Sequence, residues 1–226
     1  MHSRRSVIAL GASAVIASTA GCTESIPFLG DEAVEFEAEA ASVRQSALDE
    51  TGYESQGVEE VVIEETVEAS GQTQDVVVTN WQAEYDKSID LGELGLPVDE
   101  NQQAAVFAAL TTPPVRVLGR TFNPVADMSS EELAEMVQDH YEGLDDLEYV
   151  GEQSGTVAGE STTIGELEGE ATLADEGMSV DLTLHIAEAV ESDDDLVVGI
   201  GGYPTELRED EEPNILALME AIEHPE

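Results

Sequence analysis

The chain is poor in cysteine and in basic residues, and each shortage excludes a class of function. Its 226 residues include one cysteine, Cys22, so no intramolecular disulfide can form and no set of thiolates can bind zinc. Lysine and arginine number 7 against 51 aspartates and glutamates, a formal net charge of -44. Nucleic-acid binding needs clustered cations that displace counterions from phosphates. We therefore expect no nucleic-acid partner.

Sequence patterns of common catalytic and metal sites are also missing. Lys87 is the only lysine, and it lies in no phosphate-binding loop. The histidines lack HxH or HExxH spacing, and no GxSxG nucleophile elbow is present. The run Asp193, Asp194 and Asp195 offers oxygen ligands, but it lacks the alternating ligands and the bend glycine of a calcium loop. We interpret it as a solvated turn and expect no metal, no cofactor and no catalytic residue.

The N-terminal segment has the features of an export signal. Arg4 and Arg5 precede an apolar run over residues 7–20, which is followed by Gly21 and Cys22. Paired arginines are the twin-arginine address. The run is shorter than the about 20 apolar residues that a membrane-spanning helix needs. We predict cleavage between Gly21 and Cys22, with a lipid then attached to the cysteine sulfur.

These features divide the chain into three segments. Residues 1–21 are the predicted twin-arginine lipoprotein signal peptide, and residues 22–32 form a lipidated N-terminus with a short tether. Residues 33–226 are predicted to form a single domain. The lipid on Cys22 then holds the protein on the outer face of the cytoplasmic membrane, in the extracellular space.

The acidic surplus indicates adaptation to concentrated salt. In dilute buffer, a surface with so many carboxylates repels itself and destabilises the compact state. At about 1 M salt the Debye length falls to roughly 3 Å, which screens most of that repulsion. Disorder is the alternative for an acidic chain, but 41% of the residues are hydrophobic and they fall at regular spacings. We expect a folded, halophilic domain.

Apolar alternation predicts strands through much of the domain. Val61 and Ile63 share one face of a first hairpin strand, and Trp81 lies on the second strand, after a turn at residues 70–72. We expect Trp81 to pack in the core rather than to stack on a ligand. Residues 104–111 fit either a strand or a helix, and the prolines that follow favour a strand.

The second half combines further strands with two helices. Ser129 and Glu132 form a capping box at the start of one helix, on which His140 is expected to be a packed histidine and not a ligand. Residues 147–203 read as strands throughout, and a last helix has Pro213 near its first turn. The predicted fold class is α+β, a single domain with a mostly antiparallel meander sheet and two to three helices packed on it.

Four short motifs together resemble a known family. They are Phe36-Glu37-Ala38, Thr51-Gly52-Tyr53, Gly119-Arg120-Thr121-Phe122-Asn123-Pro124 and Gly201-Gly202-Tyr203-Pro204. In this arrangement, which covers nearly the whole chain, the sequence is similar to secreted haloarchaeal lipoproteins of uncharacterised function. The resemblance implies a salt-adapted surface protein exported by the twin-arginine route, and it implies no activity. The order of strand, helix, long meander and final helix also resembles PsbP and LpqN-like domains.

These observations favour binding over catalysis. We expect a lipid-anchored extracytoplasmic protein without enzymatic activity that binds a protein partner or a small ligand, or that contributes to the cell surface. Two alternatives stay open. One is a hydrolase with a carboxylate pair or a bound cation, which a cleft with two carboxylates at catalytic spacing would reveal. The other is the solute-binding component of a transporter, for which two lobes around a cleft are expected.

Overall fold

The computed structural model describes most of the predicted domain. The described residues are 33–69, 72–89, 102–117, 120–121, 124–140, 144–173 and 178–225. The predicted export arginines Arg4 and Arg5, the cleavage site at Gly21 and the lipid site at Cys22 lie outside these residues. No helix in the described part is long and apolar enough to cross a membrane.

Strands account for most of the described residues. They are β1 (Val34–Glu37), β2 (Ser42–Val43), β3 (Glu54–Ala69), β4 (Gln72–Ile89), β5 (Gln102–Thr112), β6 (Arg116–Val117), β7 (Arg120–Thr121), β8 (Leu144–Val157), β9 (Glu160–Leu173), β10 (Met178–Ala187), β11 (Val190–Ser192), β12 (Asp195–Pro204) and β13 (Ile222–Glu223). The α-helices are α1 (Gln45–Thr51), α2 (Ser130–His140) and α3 (Arg208–Glu220), and short 3-10 helices lie at Pro124–Asp127 and Thr205–Leu207.

One sheet of nine strands organises the fold. Seven strands follow the order β1-β4-β5-β12-β10-β9-β8, while β11 pairs with β12 and β3 pairs with β4. Residues 102–112 are strand β5, which settles the ambiguity in that segment. Two short pairs, β2 with β13 and β6 with β7, lie apart from the main sheet.

The predicted α+β class with a mostly antiparallel meander is wrong. The protein is mostly β, and its main sheet is mixed because β1 pairs in parallel with β4 over Val76 to Thr79. This pairing is possible because β4 is 18 residues long. β3 occupies one of its edges, and β1 and β5 share the other. Parallel neighbours need a crossover, which the chain from α1 through β3 supplies.

Helices α1 and α3 cover one face of the sheet. The core on this face includes Phe107 from β5, Tyr203 from β12 and Ile215 from α3, all buried. Glycine lets the helix approach the sheet, because a Cβ atom at Gly201 would lie 2.5 Å from Ile215 Cγ2. This close approach fixes where α3 sits and which of its side chains face the strands.

Helix α2 covers the opposite face. Leu133 and Val137 pack against Leu184 and Ile186 of β10 in a second apolar cluster. The predicted capping box is present, because the backbone N–H of Ser129 donates to Glu132 Oε2 at 2.9 Å and the N–H of Glu132 donates to Ser129 Oγ at 3.3 Å. The large apolar side chains that stay exposed lie on the two long edge strands, β3 and β8, except for Val106 of β5.

Candidate functional site

The outer edge of β3 is the largest unpaired backbone surface that the structure describes. Among the strands in the described residues, β3 pairs only with β4, from Glu54 opposite Asp86 to Ala69 opposite Gln72. The register shifts once, between Ser55 and Gly57, and is then regular to the end of the strand. An edge strand presents a row of N–H and C=O groups that can pair with another chain. Here that row runs along most of a 16-residue strand.

Apolar side chains lie along this edge on both faces of the strand. Val58 and Val62 lie on one face and are 49% and 47% exposed; Val61 and Ile63 lie on the other and are 39% and 47% exposed. Large apolar side chains that cluster in solvent mark interaction sites more often than scattered ones do. We define the β3 edge as Val58 to Glu65, the stretch that holds these four side chains.

The exposed apolar side chains continue rows of buried or half-buried side chains on the neighbouring strands. Ile63 is opposite Val78, which is in turn opposite Phe36, so one row crosses three strands to the edge. Val58 is likewise opposite Ala83, which is buried in the main core. The rows end at β3 because no further described strand is present to cover them.

Glutamates flank the apolar residues of the β3 edge. Glu59 and Glu60 precede Val61, and Glu64 and Glu65 follow Ile63. All four are exposed. Charged residues on an edge strand also protect it against pairing with copies of itself. The same glutamates can therefore select between binding partners and keep the protein soluble.

The opposite edge of the sheet is built differently. β8 pairs with β9 and has register shifts between Asp145 and Glu148 and between Tyr149 and Gly151. Asp146 has a left-handed backbone, with φ of 52°. Bulges bend an edge and interrupt the pairing row, and α2 and α3 both contact β8. β8 is therefore protected by bulges and helix contacts, although Tyr149 and Val150 on it are 37% and 48% exposed, whereas β3 beyond Gly57 has no register shift and is protected by its charges.

A polar cluster lies beneath the start of α3, with a buried pair and a more exposed set of ion pairs. His185 Nε2 lies 2.8 Å from the Tyr203 hydroxyl, and both residues are fully buried. Arg208 Nη2 contacts Glu166 Oε1 at 2.5 Å and Glu168 Oε1 at 2.7 Å. Burial lowers the pKa of His185 and raises that of Tyr203. Burial therefore disfavours the protonated form of His185. The contact with Tyr203 was not predicted from the sequence because the two residues lie on different strands.

A second buried group joins α3 to the sheet. Glu211 Oε1 lies 2.5 Å from Lys87 Nζ, and its Oε2 accepts hydrogen bonds from the Tyr53 hydroxyl at 3.1 Å and from Asn214 Nδ2 at 3.2 Å. Burial, followed by the charge of Glu211, raises the pKa of Tyr53. The carboxylate is fully bonded within the protein, so its role is structural.

The predicted aspartate turn contains one buried residue. Asp193 and Asp194 are exposed, whereas Asp195 Oδ2 accepts the backbone N–H of Glu39 at 2.7 Å and lies 3.2 Å from His224 Nε2. Burial is the main cause that raises the pKa of Asp195. Across the described residues, no three His, Cys, Asp or Glu side chains are grouped as a metal site would require.

Two open clefts flank α1, and both are polar. One, of about 330 Å³, is lined by Asp49, Tyr53 and Glu54 among others, and the other, of about 250 Å³, lies between α1 and α3. Neither is lined by His185 or Arg208. Trp81 is half-buried on β4, opposite Glu60 of β3, and the side chain of His140 is outside what the structure describes.

The family model of a domain of unknown function, DUF6517, matches residues 40–223, and the chain therefore belongs to this family. No curated protein matches the chain. Among solved structures, it is similar to the solution structure of cyanobacterial PsbP (CyanoP) from Synechocystis sp. PCC 6803. That similarity has 10% sequence identity and a TM-score of 0.36, and it covers 88% of this chain and 98% of the other.

Proposed function

We propose that the protein is a lipid-anchored extracytoplasmic binding module, adapted to concentrated salt and without enzymatic activity, that holds a protein partner along the β3 edge. The observation that carries this proposal is the regular, unpaired edge with four large apolar side chains in solvent. Extended segments of other proteins bind such edges by adding a strand, with affinity from the backbone and selectivity from the side chains.

The anchor supports the same function. Export by the twin-arginine route through Arg4 and Arg5, cleavage after Gly21 and lipid attachment at Cys22 would place the domain on the outer face of the cytoplasmic membrane. The tether of residues 22–32 is too short to carry the domain far from the lipid surface. A domain held in this way meets partners at or near the membrane, where tethering raises their effective concentration.

The charge surplus supports a haloarchaeal setting, as the sequence motifs imply. A chain with 51 acidic and 7 basic residues repels itself in dilute buffer and is screened in molar salt. Hydrogen bonds between strands and apolar contacts act at short range and do not depend on long-range attraction. A strand edge therefore suits binding under conditions in which charge steering is weak.

Position-specific photo-cross-linking in intact cells tests this proposal. A photoreactive amino acid replaces Val62 on β3 in one variant and Val150 on β8 in a matched control, because the two valines are 47% and 48% exposed and lie on opposite edges of the sheet. We expect a discrete protein adduct from position 62 and much less from position 150. Equal labelling from both positions, or none from position 62, would overturn the proposal.

A further inference from the structure

We propose that the occupant of the β3 edge is an extended, cationic segment of a partner protein, with pairs of Lys or Arg on either side of about three apolar residues. This inference rests on the proposed function and adds the chemistry of the partner. It follows from the order of side chains along β3, where Glu59 and Glu60, then Val61 to Ile63, then Glu64 and Glu65 form a symmetric pattern.

Backbone geometry fixes how such a segment would lie. A strand added to the outer edge of β3 would lie about 4.8 Å from it and pair with its outward N–H and C=O groups. Side chains on the new strand would then stand beside those of β3 on both faces. Because the β3 pattern reads the same in both directions, the segment can complement it in parallel or antiparallel orientation.

The apolar positions require cover on both faces. Val62 points to one face of the sheet, and Val61 and Ile63 point to the other. A partner with apolar residues at alternate positions alone would cover one face and leave the other in solvent. Three consecutive apolar residues opposite this run would cover both faces.

The charges select against a second copy of this chain. Antiparallel self-pairing centred on Val62 would place Glu60 opposite Glu64 of the other copy and Glu59 opposite Glu65, so that like charges face each other at four positions. Like charges directly opposite across a strand pair are destabilising. A segment with basic pairs at the same positions converts each of these repulsions into an attraction.

No basic residue of this chain lies near the β3 edge in sequence. Between Arg44 and Lys87 the sequence contains neither lysine nor arginine, and Lys87 is engaged with the buried Glu211. The cleft beside the start of β3 adds Asp49 and Glu54 to the negative surface. A cationic partner segment would therefore supply charge of the sign that residues 45–86 of this chain lack.

Synthetic peptides with blocked ends provide the probe. One has a Lys-Lys-Val-Val-Ile-Lys-Lys core, and a second of equal length replaces each lysine with glutamate. A third carries the lysine core with N-methyl groups on backbone nitrogens that point to each edge of the strand. These groups remove backbone N–H donors and keep the charge. Binding is measured by fluorescence anisotropy of labelled peptide against the full lipidated chain in detergent, at about 0.1 M and about 1 M KCl.

We expect the lysine peptide to bind at least tenfold more tightly than the glutamate and N-methylated peptides. Its affinity should fall in molar salt without being lost, because the apolar and backbone contacts persist. The variant Glu60→Lys/Glu64→Lys should weaken binding roughly tenfold at low salt, since two attractions become two repulsions. The control Asp145→Lys/Glu148→Lys on β8 should bind as the unchanged chain does.

The outcomes separate the two proposals. Equal binding of the lysine and glutamate peptides, or undiminished binding of the N-methylated peptide, overturns the inference of a cationic strand. Adducts at position 62 would in that case still support the β3 edge as a binding surface. Cross-linking of position 62 to a second copy of this chain also overturns the inference of a cationic strand. Absence of both peptide binding and position 62 adducts overturns the inference together with the proposed function.

Discussion

Replacement of Lys87 by methionine should destabilise the fold strongly, because it leaves a buried carboxylate without its cation. Glu211 is 3% exposed, and the Lys87 ammonium is the charged group bonded to its Oε1. The Tyr53 hydroxyl and Asn214 amide bond to Oε2 and can satisfy hydrogen bonds without neutralising the charge. Methionine keeps the length of the side chain and removes only the ammonium.

The expected loss is about 3 kcal/mol in the free energy of unfolding. Breaking a buried ion pair by removing one partner costs about 3 to 5 kcal/mol. We take the lower end because the Lys87 side chain is 24% exposed, so water can reach the vacated position. Adding Glu211→Gln to Lys87→Met should recover at least half of the loss, since a neutral amide needs no counter-charge.

Denaturation in urea, followed by the fluorescence of Trp81 in about 1 M KCl, measures these changes. Arg44→Met is the matched control, because Arg44 and Glu223 are 3.7 Å apart with side chains 50% and 61% exposed. An exposed pair of this kind should contribute less than about 1 kcal/mol. A loss for Lys87→Met that is as small as that for Arg44→Met would refute the reasoning.

Three further predictions concern other parts of the chain. Burial lowers the pKa of His185 from 6.5, so the unfolded state takes up a proton that the folded state does not. Stability should fall as pH drops below about 6.5, by at most about 1.4 kcal/mol per pH unit, and His185→Asn should flatten this slope in denaturation curves. Gly201→Ala should lower stability by about 1 to 3 kcal/mol in the same assay, because the new Cβ would overlap Ile215; an unchanged midpoint would contradict this packing. Cys22→Ser should move the protein from the membrane fraction to the medium or leave a longer precursor, and unchanged membrane retention on immunoblots would contradict the anchor.

Local elements were predictable where a single segment carries its own signal. The capping box of Ser129 and Glu132 marked the start of α2, and both hydrogen bonds are formed. Alternation located the β3–β4 hairpin in the same way. The mixed character of the sheet was not predictable, because the direction of β1 depends on its pairing with Val76 to Thr79, far along the chain. Four alternating residues indicate a strand and carry no information about direction.

Tertiary contacts also set the start of the last helix. Pro213 was predicted near the first turn because proline is favoured there, but α3 begins earlier, at Arg208. Glu209, Asp210 and Glu211 occupy its first turn, where acidic residues interact favourably with the helix dipole. The bonds of Glu211 to distant residues then anchor this turn to the sheet. The preference of proline for the first helical turn depends on local sequence, so it could not take the long-range bonds of Glu211 into account.

The β3 edge shows why its role could not be inferred from alternation. Val61 and Ile63 predict one buried face, and Val62 between them breaks the alternation that a half-buried strand should have. Consecutive apolar residues are typical of strands covered on both faces. In the structure this run lies at an edge, with all three side chains 39% to 47% exposed. The three apolar residues thus have the pattern of an interior strand, while the glutamates on both sides suit the edge position, and pairing with a further strand would cover the apolar run.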